Sequence, residues 1–234
     1  MLTFGPTYQW YSMDKDEKLN AVRNIVLNTV ATGLNPATIF EKQSYVGAKF
    51  SLIVDSRDNM ILPGKGVNWI TTARVLKGLG NNSFDKVRQV NSDFSFYVNL
   101  IPGRLVFANR TGGGFTAGDL GKDFEFFHAQ YLGSDDNLRG FRKERFAGKT
   151  KFYNQAEMRL LLATFRTYLF PAAFGIMAFY DAGRVWRDND TDKNFHSGYG
   201  AGLWFSPLRR LLISFTWAVS KEDNIPLVGL GWKF

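Results

Sequence analysis

Residues 151–162 read KFYNQAEMRLLL. Phe152, Ala156, Met158, Leu160 and Leu162 share one side of a two-residue period, and Tyr153, Gln155, Glu157, Arg159 and Leu161 share the other. Neighbouring side chains on a strand point to opposite faces, so the segment reads as a strand with one apolar face and one that carries full charges. A dry core cannot solvate bulky ionised side chains. The charged face therefore needs water or partner charges, and the apolar face needs a non-aqueous neighbour.

The same period recurs along the chain. Val46, Ala48, Phe50, Leu52 and Val54 alternate with Gly47, Lys49, Ser51, Ile53 and Asp55. Phe94, Phe96, Val98 and Leu100 alternate with Ser95, Tyr97 and Asn99. Leu211, Ile213, Phe215, Trp217 and Val219 do the same, as do Val228, Leu230, Trp232 and Phe234 at the C-terminus. Ten strands are predicted, near 4–13, 45–56, 66–77, 87–101, 104–116, 150–165, 168–186, 197–206, 210–220 and 226–234.

The connections alternate too. Pro102-Gly103, Arg166-Thr167 and Pro207 to Arg209 are short, with residues 57–65 a middling turn on the same side. Segments 14–44, 117–149 and 187–196 are long, with shorter partners at 78–86 and 221–225. One trimmed rim and one elaborated rim are the habit of transmembrane β-barrels, with short periplasmic turns and long extracellular loops. Alternation alone fits a soluble β-sandwich or lipocalin-like barrel equally well, with the apolar face turned inward. Three features favour the membrane. Several strands reach 12 residues or more, against a usual length of about 5–6. Glu157, Arg159, Arg74 and Asp181 sit on the polar faces. Aromatic residues gather near strand ends, at Trp10, Tyr11, Tyr168, Phe170, Trp186, Phe205 and Phe234, where rings suit the lipid–water interface. The expected molecule turns its apolar faces to hydrocarbon and keeps a wet, ionic interior.

Composition agrees with a folded, aromatic-rich chain. Of 234 residues, 45% are hydrophobic, 21% charged and 16% aromatic, with 23 glycines. There is no cysteine, which excludes disulfides, thiolate metal sites and cysteine nucleophiles, and only two histidines, His128 and His196. The net charge of +8 comes without a dense basic run, so it reads as loop charge and solubility rather than a nucleic-acid surface. The longest apolar stretch, FPAAFGIMAFY at 170–180, is 11 residues, and a spanning helix needs about 20. The N-terminal MLTFGPTYQWYSM lacks the layout of a signal peptide, so either a cytoplasmic protein or a piece of a longer chain is expected. Segment 14–31 carries Leu19, Val22, Ile25, Val26 and Val30 behind a possible cap at Asp14; it reads as a short amphipathic helix or an irregular loop.

No catalytic set emerges. Both histidines fall in predicted long loops without a partner motif. Gly112-Gly113-Gly114 lacks the lysine of a phosphate-binding loop. Asp188, Asp190 and Asp192 resemble half of a calcium loop but lack its glycine and terminal glutamate.

Four motifs carry a family resemblance. Leu138-Arg139-Gly140-Phe141 looks like the (V/I/L)RG(F/Y) motif of a long extracellular loop, and Gln155-Ala156-Glu157-Met158-Arg159 like the acidic strand after it. Phe179-Tyr180-Asp181-Ala182-Gly183 looks like the FxDxG strand that follows, and Asp55-Ser56-Arg57-Asp58-Asn59, with Pro63 and Gly66, like the DxRD…P…G turn. In this order the motifs resemble the barrel of the bacterial surface antigen family, the BamA/TamA superfamily. The resemblance implies an all-β, transmembrane antiparallel barrel over residues 1–234, in register with the last ten of sixteen strands, with POTRA domains and N-terminal strands absent. It also implies a Gram-negative outer-membrane location and a non-enzymatic role in protein insertion or translocation, without a cofactor or metal. The implied partners are outer-membrane lipids, nascent outer-membrane or secreted proteins and accessory lipoproteins, with no nucleic acid. A barrel anchoring a fused enzyme such as a patatin-like lipase, or a self-contained ten-stranded pore, would show the same motifs.

The implied site is a loop docked inside the barrel. Asp181 lies on the face opposite Ala178, Ile176 and Phe174, and so points inward with Gly183 beside it. Glu157 points inward from the adjacent strand. The planar fork of Arg139 could bridge both carboxylates, which lysine cannot do. Gly140 would let the tip turn tightly and Phe141 would wedge it. Val228, Leu230, Trp232 and Phe234 look like the C-terminal β-signal of outer-membrane barrels, an edge strand able to pair with another chain.

Overall fold

The computed structural model describes residues 1–12, 42–79, 86–118, 126–134, 136–166, 171–187, 194–208 and 210–231. Its main body is a ten-stranded antiparallel sheet. The strands are β1 (Leu2–Tyr11), β2 (Gln43–Asp55), β3 (Gly66–Leu79), β4 (Lys86–Ile101), β5 (Leu105–Ala117), β8 (Thr150–Arg166), β9 (Pro171–Trp186), β10 (His196–Pro207), β11 (Ile213–Ser220) and β12 (Asn224–Leu230). Each pairs with its neighbour in sequence order, and among the described residues β1 and β12 end the sheet without pairing to each other. Two short strands, β6 (Gln130–Leu132) and β7 (Phe146–Gly148), form a separate hairpin inside the β5–β8 loop. No helix among the described residues is long and apolar enough to cross a membrane.

The two faces of the sheet part as the alternation predicts. Along β9, Gly175, Met177, Phe179, Asp181, Gly183 and Val185 are buried, while Ile176, Ala178 and Tyr180 are exposed. On β11, Ser214, Thr216 and Ala218 are buried, whereas Ile213, Phe215 and Trp217 are exposed. Phe50, Trp69, Phe94, Phe115 and Leu203 join the exposed apolar face. Large rings turned away from the protein over so many strands fit a hydrocarbon surround. The β5–β8 loop touches the inner face from β1 to β11: Phe127 stacks on Tyr11 at 3.7 Å, and Ser220 Oγ donates to Gly140 O at 2.6 Å. The sheet therefore curls around the loop.

The interior is less uniformly polar than expected. Tyr45, Leu76 and Val87 from the strands pack with Ala129 and Ala147 of the loop. Leu132, Leu138, Phe141 and Phe146 pack on Tyr153 and Val185. At the opposite rim Ile61 and Leu62 of the 56–65 connection pack on Ala173, Met177, Trp204 and Leu212. Segments that fold back inside bring apolar side chains with them and dry out parts of the lumen.

Several boundaries differ from the sequence reading. β1 begins and ends two residues earlier than the expected 4–13, and β3 extends to Leu79. β11 starts at Ile213 rather than 210, although Leu211 and Leu212 keep the alternation, Leu211 exposed and Leu212 buried. His196 is not a loop residue but opens β10. Register shifts at Asn99/Ile101 and Leu161/Ala163 mark irregularities near the short-turn rim. The 14–31 segment, the 188–192 aspartates, Tyr168 and Phe170 lie outside the described residues.

Candidate functional site

The β8–β9 register sets the carboxylates. Gln155 faces Asp181 and Glu157 faces Phe179, so Glu157 and Asp181 are diagonal neighbours on the inner face. Both are buried, at 2% and 0% exposure. The loop tip brings Arg139 down onto them. Its Nε donates to Asp181 Oδ2 at 2.7 Å and its Nη2 to Oδ1 at 2.8 Å. Its backbone N–H adds a third bond to Oδ2 at 3.0 Å. The remaining arm, Nη1, donates to Glu157 Oε2 at 2.6 Å. The guanidinium carbon sits 3.6 Å from the centroid of the Phe179 ring, a cation–π seat. Burial disfavours the charged guanidinium, but the hydrogen bonds and charges of Asp181 and Glu157 outweigh it and hold Arg139 above its usual range.

Glu157 is shared. Its second oxygen, Oε1, accepts from Arg159 Nε at 2.6 Å. The interior thus carries a chain of alternating charges, Asp181–Arg139–Glu157–Arg159, spanning loop and wall. A buried charge stands only when paired and hydrogen-bonded, and this chain meets that condition at each of its links.

The glycines make the approach possible. Gly140 has φ of +90°, and a Cβ there would meet Ser220 Cβ at 3.1 Å. A Cβ on Gly198 would fall on the Arg139 carbonyl oxygen. Gly183 leaves room for the loop, since its Cβ would meet Leu132 Cδ1 at 3.0 Å. Phe141, 3% exposed, sits edge-on to Phe146 at 5.2 Å and to His196 at 6.0 Å.

Contacts that the sequence reading missed extend the fastening. Arg110 on β5 donates to Asp93 and to the Asp136 backbone oxygen, at 3.0 and 2.9 Å, and Tyr153 donates to Asp93. On the outer side the loop reaches the last hairpin: Arg142 pairs with Asp223 at 3.3 Å and Arg145 with Glu222 at 2.6 Å. His128 is buried against Tyr11, Tyr45 and Phe127, and neither ring nitrogen has a hydrogen-bond partner among the described residues. Burial, reinforced by Arg74, lowers its pKa to about 4. The DxRD turn is self-bonded: Asp55 accepts Arg57 Nε at 2.9 Å and Nη2 at 2.7 Å. Val228 and Leu230 are exposed on β12, opposite Phe215 and Ile213. Trp232 and Phe234 lie outside the described residues.

A curled antiparallel sheet with a lipophilic outer face, a loop packed against its inner face and unequal rims defines part of a transmembrane β-barrel. The sequence profile of the Omp85 superfamily domain matches residues 1–234, and the chain belongs to that superfamily, a family of outer-membrane proteins. The fold is similar to the crystal structure of BamA from Haemophilus ducreyi lacking POTRA domains 1–3, with a TM-score of 0.67 and 17% identity. The match covers 98% of this chain and 50% of that one, so the chain spans about half the length of that structure.

Proposed function

We propose that this barrel works at the bacterial outer membrane in the insertion or translocation of other proteins, by non-covalent means. The supporting observation is that Arg139 spans two buried carboxylates from adjacent strands, seating the 138–141 tip as a brace inside a sheet whose terminal strand has an open edge. An open edge is a pairing template: its free N–H and C=O groups can take a strand of a nascent protein, with Val228 and Leu230 keeping the growing surface apolar. Gly140 and Phe141 fit the tip beneath β10 and β11 and Gly183 gives it clearance; by sequence alone, Trp232 and Phe234 belong with Val228 and Leu230 to the β-signal. The lipids around the exposed face, nascent outer-membrane or secreted chains and accessory lipoproteins are the partners this mechanism calls for.

The chain has no cysteine of its own, so single cysteines report cleanly. A cysteine at Gly229 should cross-link to a cysteine in the terminal strand of a client caught during insertion, and Arg139→Ala should reduce that yield. Undiminished client insertion with no cross-link anywhere along 224–230 would remove the edge from the mechanism.

A further inference from the structure

The outer face of β3 and β4 ends in a group of cations. Strand parity puts Lys77 on the side of Trp69 and Val75, and Lys86 and Arg88 on the side of Val90 and Phe94, the exposed apolar face rather than the lumen. All three cations are exposed. The register sets Lys77 directly opposite Lys86, and Arg88 opposite Val75, one two-residue step below. On their other sides Arg88 faces Ala117 and Lys77 faces Val46, which in turn faces Tyr8. No carboxylate stands in the described part of these rows; Asp85, next to Lys86 in sequence, lies outside the described residues. Like charges directly opposite one another destabilise a sheet. Lys77 and Lys86, with Arg88 diagonal to Lys77, therefore form a site short of an anion.

The height of the group on the barrel wall says what kind of anion. Along β4 the outward row runs through Leu100, Val98, Phe96, Phe94 and Ser92 to Val90, then turns cationic at Arg88. At about 3.4 Å per residue and a tilt of about 40°, the run from Leu100 to Val90 rises roughly 26 Å, close to the roughly 25 Å apolar band of an outer-membrane barrel. Two exposed rings on β1 mark the same level. Tyr8 shares the row of Lys77, and Trp10 stands one step higher, opposite Ser44. Such girdle aromatics lie at headgroup depth. The cations thus stand where the hydrocarbon ends, at the rim of the long loops. Directly below them Val75, Val90 and Phe115 are exposed, with Val90 facing Phe115 across the strands. A soluble polyanion would use the charges and leave this wall idle. An amphiphile with an anionic head and alkyl chains uses both.

We propose that Lys77, Lys86 and Arg88 bind the phosphate-bearing headgroup of a membrane lipid in the leaflet at the long-loop rim, with its acyl chains lying on Val75, Val90 and Phe115. The guanidinium fork of Arg88 takes two phosphate oxygens, and the two ammonium groups act as point charges beside it. Lysine and arginine stems lie along apolar surface while their heads reach the interface, which suits this depth. The bound phosphate relieves the repulsion between Lys77 and Lys86 and clasps β3 to β4 from the lipid side. The proposal rests on the reading of the exposed face as the lipid-facing one and names the lipid class and its place. It is read by lipid binding alone, so its failure leaves protein insertion untouched.

The test is native mass spectrometry of the detergent-solubilised protein, titrated with lipid A (an acylated glucosamine disaccharide bearing two phosphates), with phosphatidylcholine and with inorganic phosphate. Lipid A should remain bound as a discrete adduct. The triple variant Lys77→Gln, Lys86→Gln, Arg88→Gln should bind it on the order of 100-fold more weakly, about fivefold for each cation. A control triple, Lys65→Gln, Lys143→Gln, Lys221→Gln, removes the same charge from exposed positions elsewhere. It should stay within about twofold of the parent, on the scale where 1.4 kcal/mol is tenfold. Tryptic protection of the 139–140 bond checks that both variants keep the fold. Unchanged binding in the first triple, or an equal loss in both, overturns the site. Phosphatidylcholine binding as tightly as lipid A overturns the anionic headgroup, and displacement of lipid A by an equal concentration of inorganic phosphate overturns the lipid assignment.

Discussion

Asp181→Asn is the sharpest probe of the loop seat. The replacement keeps the shape of the side chain and removes the charge that receives two arms and the backbone N–H of Arg139. Arg139 stays buried with a single carboxylate, Glu157, which it must share with Arg159. Removing one partner of a buried ion pair costs about 3–5 kcal/mol. At about 1.4 kcal/mol per factor of ten, the undocked population should rise by roughly two to three and a half powers of ten. Trypsin reads this directly, because cleavage after Arg139 requires the buried tip to leave the lumen. When opening is fast relative to cleavage, the rate follows the open population. Mass spectrometry should show the 139–140 bond protected in the parent protein and cut rapidly in the variant. Arg142 and Lys143, exposed on the same loop, supply an internal reference. A cleavage rate at 139–140 within about threefold of the parent, on the scale where 1.4 kcal/mol is tenfold, would refute the assignment of the seat to this ion pair.

Gly198→Val should undock the same tip from the other side, since even a Cβ there falls on the Arg139 carbonyl oxygen; tryptic protection of 139–140 is again the readout. His128 gives a pH dependence. Its folded pKa is about 4 against roughly 6.5 unfolded, so the unfolded loop binds more protons between these values. Stability should be complete above about pH 6.5 and fall as the pH drops to 4, by roughly 3 kcal/mol at most; His128→Phe should flatten the profile of protease protection over that window. Phe215→Arg, on the exposed face, should cost about 2–4 kcal/mol of stability in vesicles if it lies near the bilayer midplane.

The sheet was readable because period two is a local signal that survives over whole strands, as in Ile213 to Trp217. The partners brought to Arg139 were accessible because parity alone aims Glu157 and Asp181 to one side. Other features lacked such a signal. β6 and β7 are three residues each, too short to show a period, and their pairing spans a loop whose ends meet only in space. The sharing of Glu157 by Arg159 follows from a same-face i, i+2 relation that was in view, yet side-chain reach decides it. Ile61 and Leu62 were a partial clue to the inward packing of the 56–65 turn: two branched aliphatic residues stand among polar, charged, Pro and Gly positions, but Met60 beside them is exposed, so composition alone does not say which side chains turn in. The burial of His128 rests on its neighbour Phe127 and on Tyr11 and Tyr45, two aromatic residues remote in sequence that only the curl of the sheet brings to it.

The loop is fastened in two grades. Arg139 and its carboxylates are shut away from solvent, whereas Arg142 and Arg145 meet Asp223 and Glu222 in the open, with Arg142 82% exposed. Dissolved ions screen only the second grade: the Debye length falls from about 10 Å at 0.1 M to about 3 Å at 1 M. Brine therefore slackens the grip on the 221–223 corner while leaving the inner seat untouched. The freedom of the final two strands becomes a function of the salinity bathing that rim, set independently of whether the plug stays in place.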